Sequence, residues 1–77
     1  MKHLTMQQLH NLGFEIVKSY THDNFMSQRT RKGCITVKTK WTDAGDFESQ
    51  EIQIDDGGEW RTFNPSDIVR LDMILNK

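Results

Sequence analysis

The sequence predicts an α+β fold: a short N-terminal helix, an antiparallel meander of four or five strands, and a C-terminal amphipathic helix packed on one sheet face. Three observations predict it. A full set of helix-end signals brackets residues 6–12, apolar and polar residues alternate through residues 34–41 and 47–54, and apolar residues at helical spacing follow Asn64-Pro65. Residues 1–77 read as one domain, since chains of this length carry a single core.

The first helix is defined by its ends. Thr5 followed by Gln8 forms the S/T-x-x-E/Q capping pattern, and Leu4 and Leu9 stand at hydrophobic-staple positions. Gly13 stops the helix, and Phe14 folds back toward Leu9. A helix over Met6–Leu12 is too short to persist alone, so its Leu4, Leu9 and Leu12 face must dock on something else.

That partner is the sheet. Residues 14–22 are rich in β-branched and aromatic types, with Phe14, Ile16 and Tyr20 expected on one face. Asp23-Asn24 ends the run, and Phe25 to Arg31 forms a polar second strand. A tight turn at Lys32-Gly33 leads into a third strand, where Ile35, Val37, Thr39 and Trp41 share a face. Asp43 to Asp46 then forms a four-residue loop before the strand Phe47 to Ile54.

The register of that hairpin follows from burial. Pairing Thr42 with Phe47 sets Val37 against Ile52, Ile35 against Ile54, and Lys38 against Glu51 on the other side. A slip of one residue would set Val37 against Glu51 and lose the apolar face. After the turn at residues 55–58, Glu59 to Phe63 is expected as a short fifth strand. Asn64 as cap, Pro65 in the first turn and Asp67 near the helix start then open the last helix. Phe63 and Ile68 form its staple, and Ile68, Leu71 and Leu75 its buried face with Ile74 beside it.

The run from Asp56 to Ile68 also resembles the end of an SH3-like barrel. That alternative implies a 3₁₀ turn at Asn64 to Asp67 and a final strand over Ile68 to Met73. The helical spacing of Ile68, Leu71 and Leu75 favours the helix instead.

Composition excludes several function classes. The chain is 35 % apolar, rising to about 42 % with its glycines, a little under the usual globular share. No apolar stretch approaches the roughly 20 residues of a membrane span, and residues 1–8 are too polar for a secretory signal core. Cys34 is the single cysteine, so no internal disulfide is expected and a cytoplasmic setting follows. His3, His10, His22 and Cys34 lack the close pairing of zinc ligands. The acids at Asp43, Asp46 and Glu48, and at Asp55, Asp56 and Glu59, do not follow the order of a calcium loop and read as solvated turns. No nucleophile or phosphate-loop motif occurs, so no metal, cofactor, small-molecule substrate or enzymatic activity is expected.

Two binding surfaces remain. Phe47 points away from the apolar register, and Val69 and Met73 form a second apolar pair on the last helix. They mark a surface for a protein partner or a second copy, or are ordinary single surface hydrophobes. The expected function is accordingly a small accessory protein acting through protein contacts. Charge supplies the alternative, because the net charge of −1 is unevenly distributed. Arg29, Arg31, Lys32, Lys38 and Lys40 fall in a stretch without acids, and the acids cluster between Asp43 and Glu59. Arg29, Arg31, Lys38 and Lys40 share the outward sheet face with Phe25, an arrangement suited to nucleic acid.

Overall fold

The computed structural model describes residues 3–55 and 57–75, the last of these by backbone alone. Its elements are α1 (Met6–Asn11), β1 (Glu15–Thr21), β2 (Phe25–Lys32), β3 (Ile35–Thr42), β4 (Phe47–Ile54), β5 (Arg61–Thr62) and α2 (Pro65–Leu75). The strands form one antiparallel sheet in sequential order β1-β2-β3-β4-β5. The fold is α+β. The barrel is not formed, because residues 65–75 are helical and the sheet stays open.

The α1 signals act as expected. Gln8 N–H donates to Thr5 Oγ1 at 3.1 Å, and Thr5 N–H donates to Gln8 Oε1 at 2.9 Å, completing the capping box. At the other end Phe14 N–H reaches Leu9 O at 3.0 Å and Gly13 N–H reaches His10 O at 2.9 Å, with Gly13 at φ +98°. These two bonds turn the chain so that Phe14 is buried beside Leu9. At α2, the Asp67 carboxylate accepts from Asn64 N–H at 3.3 Å.

The core is Leu4, Leu9, Phe14, Ile35, Val37, Ile52 and Ile68, with Leu12, Phe63 and Leu71 partly buried against it. Val37 pairs with Ile52, Ile35 with Ile54 and Lys38 with Glu51, as the burial argument requires. Both helices therefore contribute to one face of the sheet. The predicted burial of Leu75 lies outside the described side chains, as does Asp56 in the turn after β4.

Four local features differ from the expectations. The β2–β3 turn is Gly33–Cys34, closed by Lys32 against Ile35, not Lys32–Gly33. This moves the register by two residues, so every side chain keeps its face. Near the β3–β4 loop the ladder shifts, and Phe47 pairs with Trp41 in place of Thr42. Thr42 N–H bonds Asp46 O at 2.8 Å and Gly45 takes φ +90°, which tightens the loop and displaces one residue into the strand. In β1 the register shifts between Ile16 and Lys18, which reverses the alternation beyond Val17. Tyr20 then sits opposite the core, and Ile16 and Val17 are 58 % and 56 % exposed. Finally, β5 is limited to Arg61–Thr62.

Two polar clamps fasten the ends to the sheet. Buried Gln50 accepts from Leu4 N–H at 3.0 Å and donates through Nε2 to Leu4 O and Thr39 Oγ1, both at 2.9 Å. Lys32 Nζ donates to Leu12 O at 2.7 Å and to Asp72 Oδ2 at 2.8 Å, tying β2 to both helices. The Gln50 clamp is the more consequential, because Leu4 is buried and its main-chain groups have little access to water. Gln50→Ala is expected to lower unfolding free energy by about 2–3 kcal/mol, the cost of stranding buried polar groups, read from the urea midpoint at unchanged slope.

Candidate functional site

With the apolar side chains committed to the helices, strand alternation puts the opposite set on the uncovered face. Cross-strand pairing defines its rows. The central row runs Lys18–Arg29–Lys38–Glu51–Thr62 across all five strands. Beside it lies Tyr20–Ser27–Lys40–Ser49, and on the other side Glu15–Arg31–Thr36–Gln53. Thus Arg29, Arg31, Lys38 and Lys40 are brought together on one face, as the sequence predicts. Phe25 joins them opposite Thr42, two residues further along β3 than a Lys32–Gly33 turn would place it. Lys32 points to the helix side and is no part of this surface.

Lys18, Arg29 and Lys38 are directly paired like charges, an arrangement that costs stability. Aromatic rings offset it. Lys18 Nζ lies 5.1 Å from the Tyr20 ring centre, and the Arg29 guanidinium 5.4 Å from the same ring and 5.2 Å from Trp60. Lys38 Nζ is 4.5 Å from Trp60, and Lys40 Nζ is 4.2 Å from Phe25. His22 continues the aromatic edge, stacked on Phe25 at 4.4 Å between ring centres. Each pairing sets the positive charge against the electron-rich ring face.

Neutralisation by acids is partial. Lys38 meets Glu51 at 3.6 Å and Lys40 meets Glu48 at 3.5 Å, both long and solvent-accessible, so each contributes about 0–1 kcal/mol. Arg31 donates through Nε to Gly33 O at 3.0 Å. The cations of the face therefore lie on β1–β3, with Glu15 opposite Arg31 at one end, and Glu48 and Glu51 lie toward β4.

Trp60, Tyr20 and Lys18 were not among the site residues that sequence reasoning identifies. Tyr20 and Lys18 reach this face only through the irregularity at Val17. Trp60 lies in the β4–β5 connection, where Gln53 Nε2 donates to Gly58 O at 2.7 Å. Gln53 shares the outer face, so this bond draws the segment over the cations. Gly58 allows the close approach, since a Cβ there would collide with the Ile54 carbonyl.

The second predicted surface is less unified. Phe47 is half-buried on the helix side, stacked on His3 at 3.7 Å and 6°, because the shifted ladder reverses its direction. Val69 and Met73 are 40 % and 67 % exposed on α2, and Ile74 joins them at 66 %. Open grooves of about 690 Å³ and 710 Å³ flank α2, the first lined by Leu4, Leu12, Pro65 and Val69, the second by Ile52, Phe63, Leu71 and Ile74. Cys34 is half-buried against the core. Among the described residues, no three His, Cys, Asp or Glu side chains gather in a way that could hold a metal ion.

Fold and surface together define an α+β protein with helices on one side of its sheet and an uncovered cation–aromatic array on the other. Compared with known families, curated proteins and solved structures, the chain has no match.

The array has a spectroscopic signature. The hydrogen bond from Lys18 to the Tyr20 phenol is the main cause that holds the Tyr20 pKa below the ordinary 10.0; desolvation opposes it, and the positive charges of Arg29 and then Lys18 add individually smaller effects in the lowering direction. Tyr20 is the chain's single tyrosine, so its ultraviolet titration is unambiguous. Lys18→Met should move the phenol titration to higher pH, and Arg29→Met should move it by less.

Proposed function

We propose that this protein is a binding module, without catalytic activity, whose uncovered sheet face takes single-stranded nucleic acid. The observation that carries the reading is the row Lys18–Arg29–Lys38, three like charges paired across strands and backed by Tyr20 and Trp60. Cations supply contacts to phosphates, and the half-buried rings of Tyr20, Phe25 and Trp60 supply stacking surfaces that accept any base. The face suits a flexible single strand better than a duplex, because rings can stack only on bases that are splayed out. The net charge of −1 makes long-range attraction weak, so affinity rests on contacts at the face itself. A cytoplasmic setting fits the single thiol Cys34. No helix of the described residues is long and apolar enough to cross a membrane.

A second reading is a protein partner or second copy on α2, favoured by exposed Val69, Met73 and Ile74 beside the two grooves. Salt separates the two. Oligothymidylate binding should weaken with salt at a logarithmic slope of roughly −3 for four neutralised phosphates, about −0.7 each. Arg29→Ala or Lys40→Ala should each reduce that slope by about 0.7, and Phe25→Ala should cost about 1–3 kcal/mol of stacking. Absence of binding at low salt removes this reading. A light-scattering mass that stays at 9.0 kDa over a concentration series removes self-association through α2.

A further inference from the structure

The centre of the face contains a donor that the fold does not use. Arg29 Nε is shielded from solvent and donates to no acceptor among the described residues. Buried donors without partners are uncommon because their lost hydration is not replaced. Two rings lie over this guanidinium, Tyr20 at 5.4 Å and Trp60 at 5.2 Å. Tyr20 belongs to a paired strand, whereas residues 58–60 belong to none. The Trp60 ring covers Lys38 as well, at 4.5 Å, and Lys38 is the cross-strand partner of Arg29.

We propose that Arg29 and Lys38 form a phosphate subsite which Trp60 covers in the free protein, and that a bound phosphate group displaces the ring and accepts from Arg29. The inference deepens the nucleic-acid reading of this face and rests on it, naming the phosphodiester as the group held there. The chemistry is matched. A guanidinium presents a planar fork of N–H donors that two non-bridging phosphate oxygens satisfy together, and a lysine ammonium adds a point charge. Lys38 is available for this because its contact with Glu51 is long, at 3.6 Å. A charge-assisted hydrogen bond is stronger than a surface cation–aromatic contact, so phosphate wins the exchange. The Trp60 segment can yield because residues 58–60 belong to no strand and are held through Gly58 alone, by Gln53 Nε2 on its carbonyl at 2.7 Å and by a long bond from its N–H to Asp55 O at 3.4 Å among the described contacts.

The test uses the two tryptophans. Trp41→Phe leaves Trp60 as the sole tryptophan, excited selectively over Tyr20, and the protein is titrated with sodium phosphate, with sodium chloride at matched ionic strength, and with a short oligothymidylate. Phosphate and oligothymidylate should shift Trp60 emission to the red and raise its quenching by acrylamide, and chloride should do neither. Trp60→Ala should bind inorganic phosphate about tenfold more tightly, since the competing ring contacts are gone. Trp60 emission that responds to phosphate no more than to chloride overturns the proposal, as does a Trp60→Ala protein that binds phosphate no more tightly. Salt-sensitive, Arg29-dependent oligothymidylate binding with an unmoved Trp60 would sink the subsite alone. Failure of oligothymidylate to bind, with phosphate still displacing Trp60, would sink the nucleic-acid reading alone.

Discussion

Everything in this molecule depends on the pairing of Val37 with Ile52 and Ile35 with Ile54 between β3 and β4. Side chains alternate along a strand, so burying these four positions on one side also determines which residues face outward. A slip of one residue would set Val37 against Glu51 and turn Ile52 and Ile54 outward, which is why burial specifies the register so strongly. The buried set is small, and the helices complete it with Leu9 and Ile68. Neither helix is held by apolar contact alone. Gln50 binds the main chain at Leu4, and Lys32 joins Leu12 to Asp72. In a chain this short, such clamps compensate for a core that has little area to offer.

The outer face follows from that commitment and brings a conflict with it. Lys18, Arg29 and Lys38 repel one another as direct neighbours, and the protein counters this with rings more than with acids. A carboxylate would cancel the charge, whereas a ring shields it and leaves it positive. A sheet that needed only solubility could carry alternating signs at these positions, as Lys38 and Glu51 do one strand further on. Retaining a row of like charges under aromatic cover keeps positive potential at the surface, which is what an anionic ligand requires.

Much of this was legible in the sequence, and the reasons for the misses are physical. The ends of α1 could be read because capping is a local interaction written in residues 4–14. The β3–β4 register could be read because period-two burial is strong there. The cationic face survived an error in the β2–β3 turn, since moving from Lys32–Gly33 to Gly33–Cys34 changes the register by an even number. Odd shifts were the damaging ones. The irregularity at Val17 moved Tyr20 to the outer face, and the one near Trp41 moved Phe47 to the helix side. Such irregularities arise from turn geometry and strand twist, which leave little trace in hydropathy. Trp60 was invisible for another reason: its place depends on Gln53 reaching Gly58, a contact between a strand side chain and a loop carbonyl.

The net charge of −1 and the cationic face are compatible once distance is considered. Charges in physiological salt are screened over roughly 8 Å, so a ligand near the surface responds to its neighbours and not to the sum. Glu48 and Glu51 reach the outer face from β4, while Asp43, Asp46 and Asp55 lie exposed at the loop and turn. The cations occupy β1 to β3, where Glu15 stands opposite Arg31 at one end. An extended anion is therefore attracted to one half of the sheet and repelled at the other, which gives it a preferred lie along β1–β3. Acids on β4 thus act as a border to the cationic strip, and the overall charge balance says little about what the strip can hold.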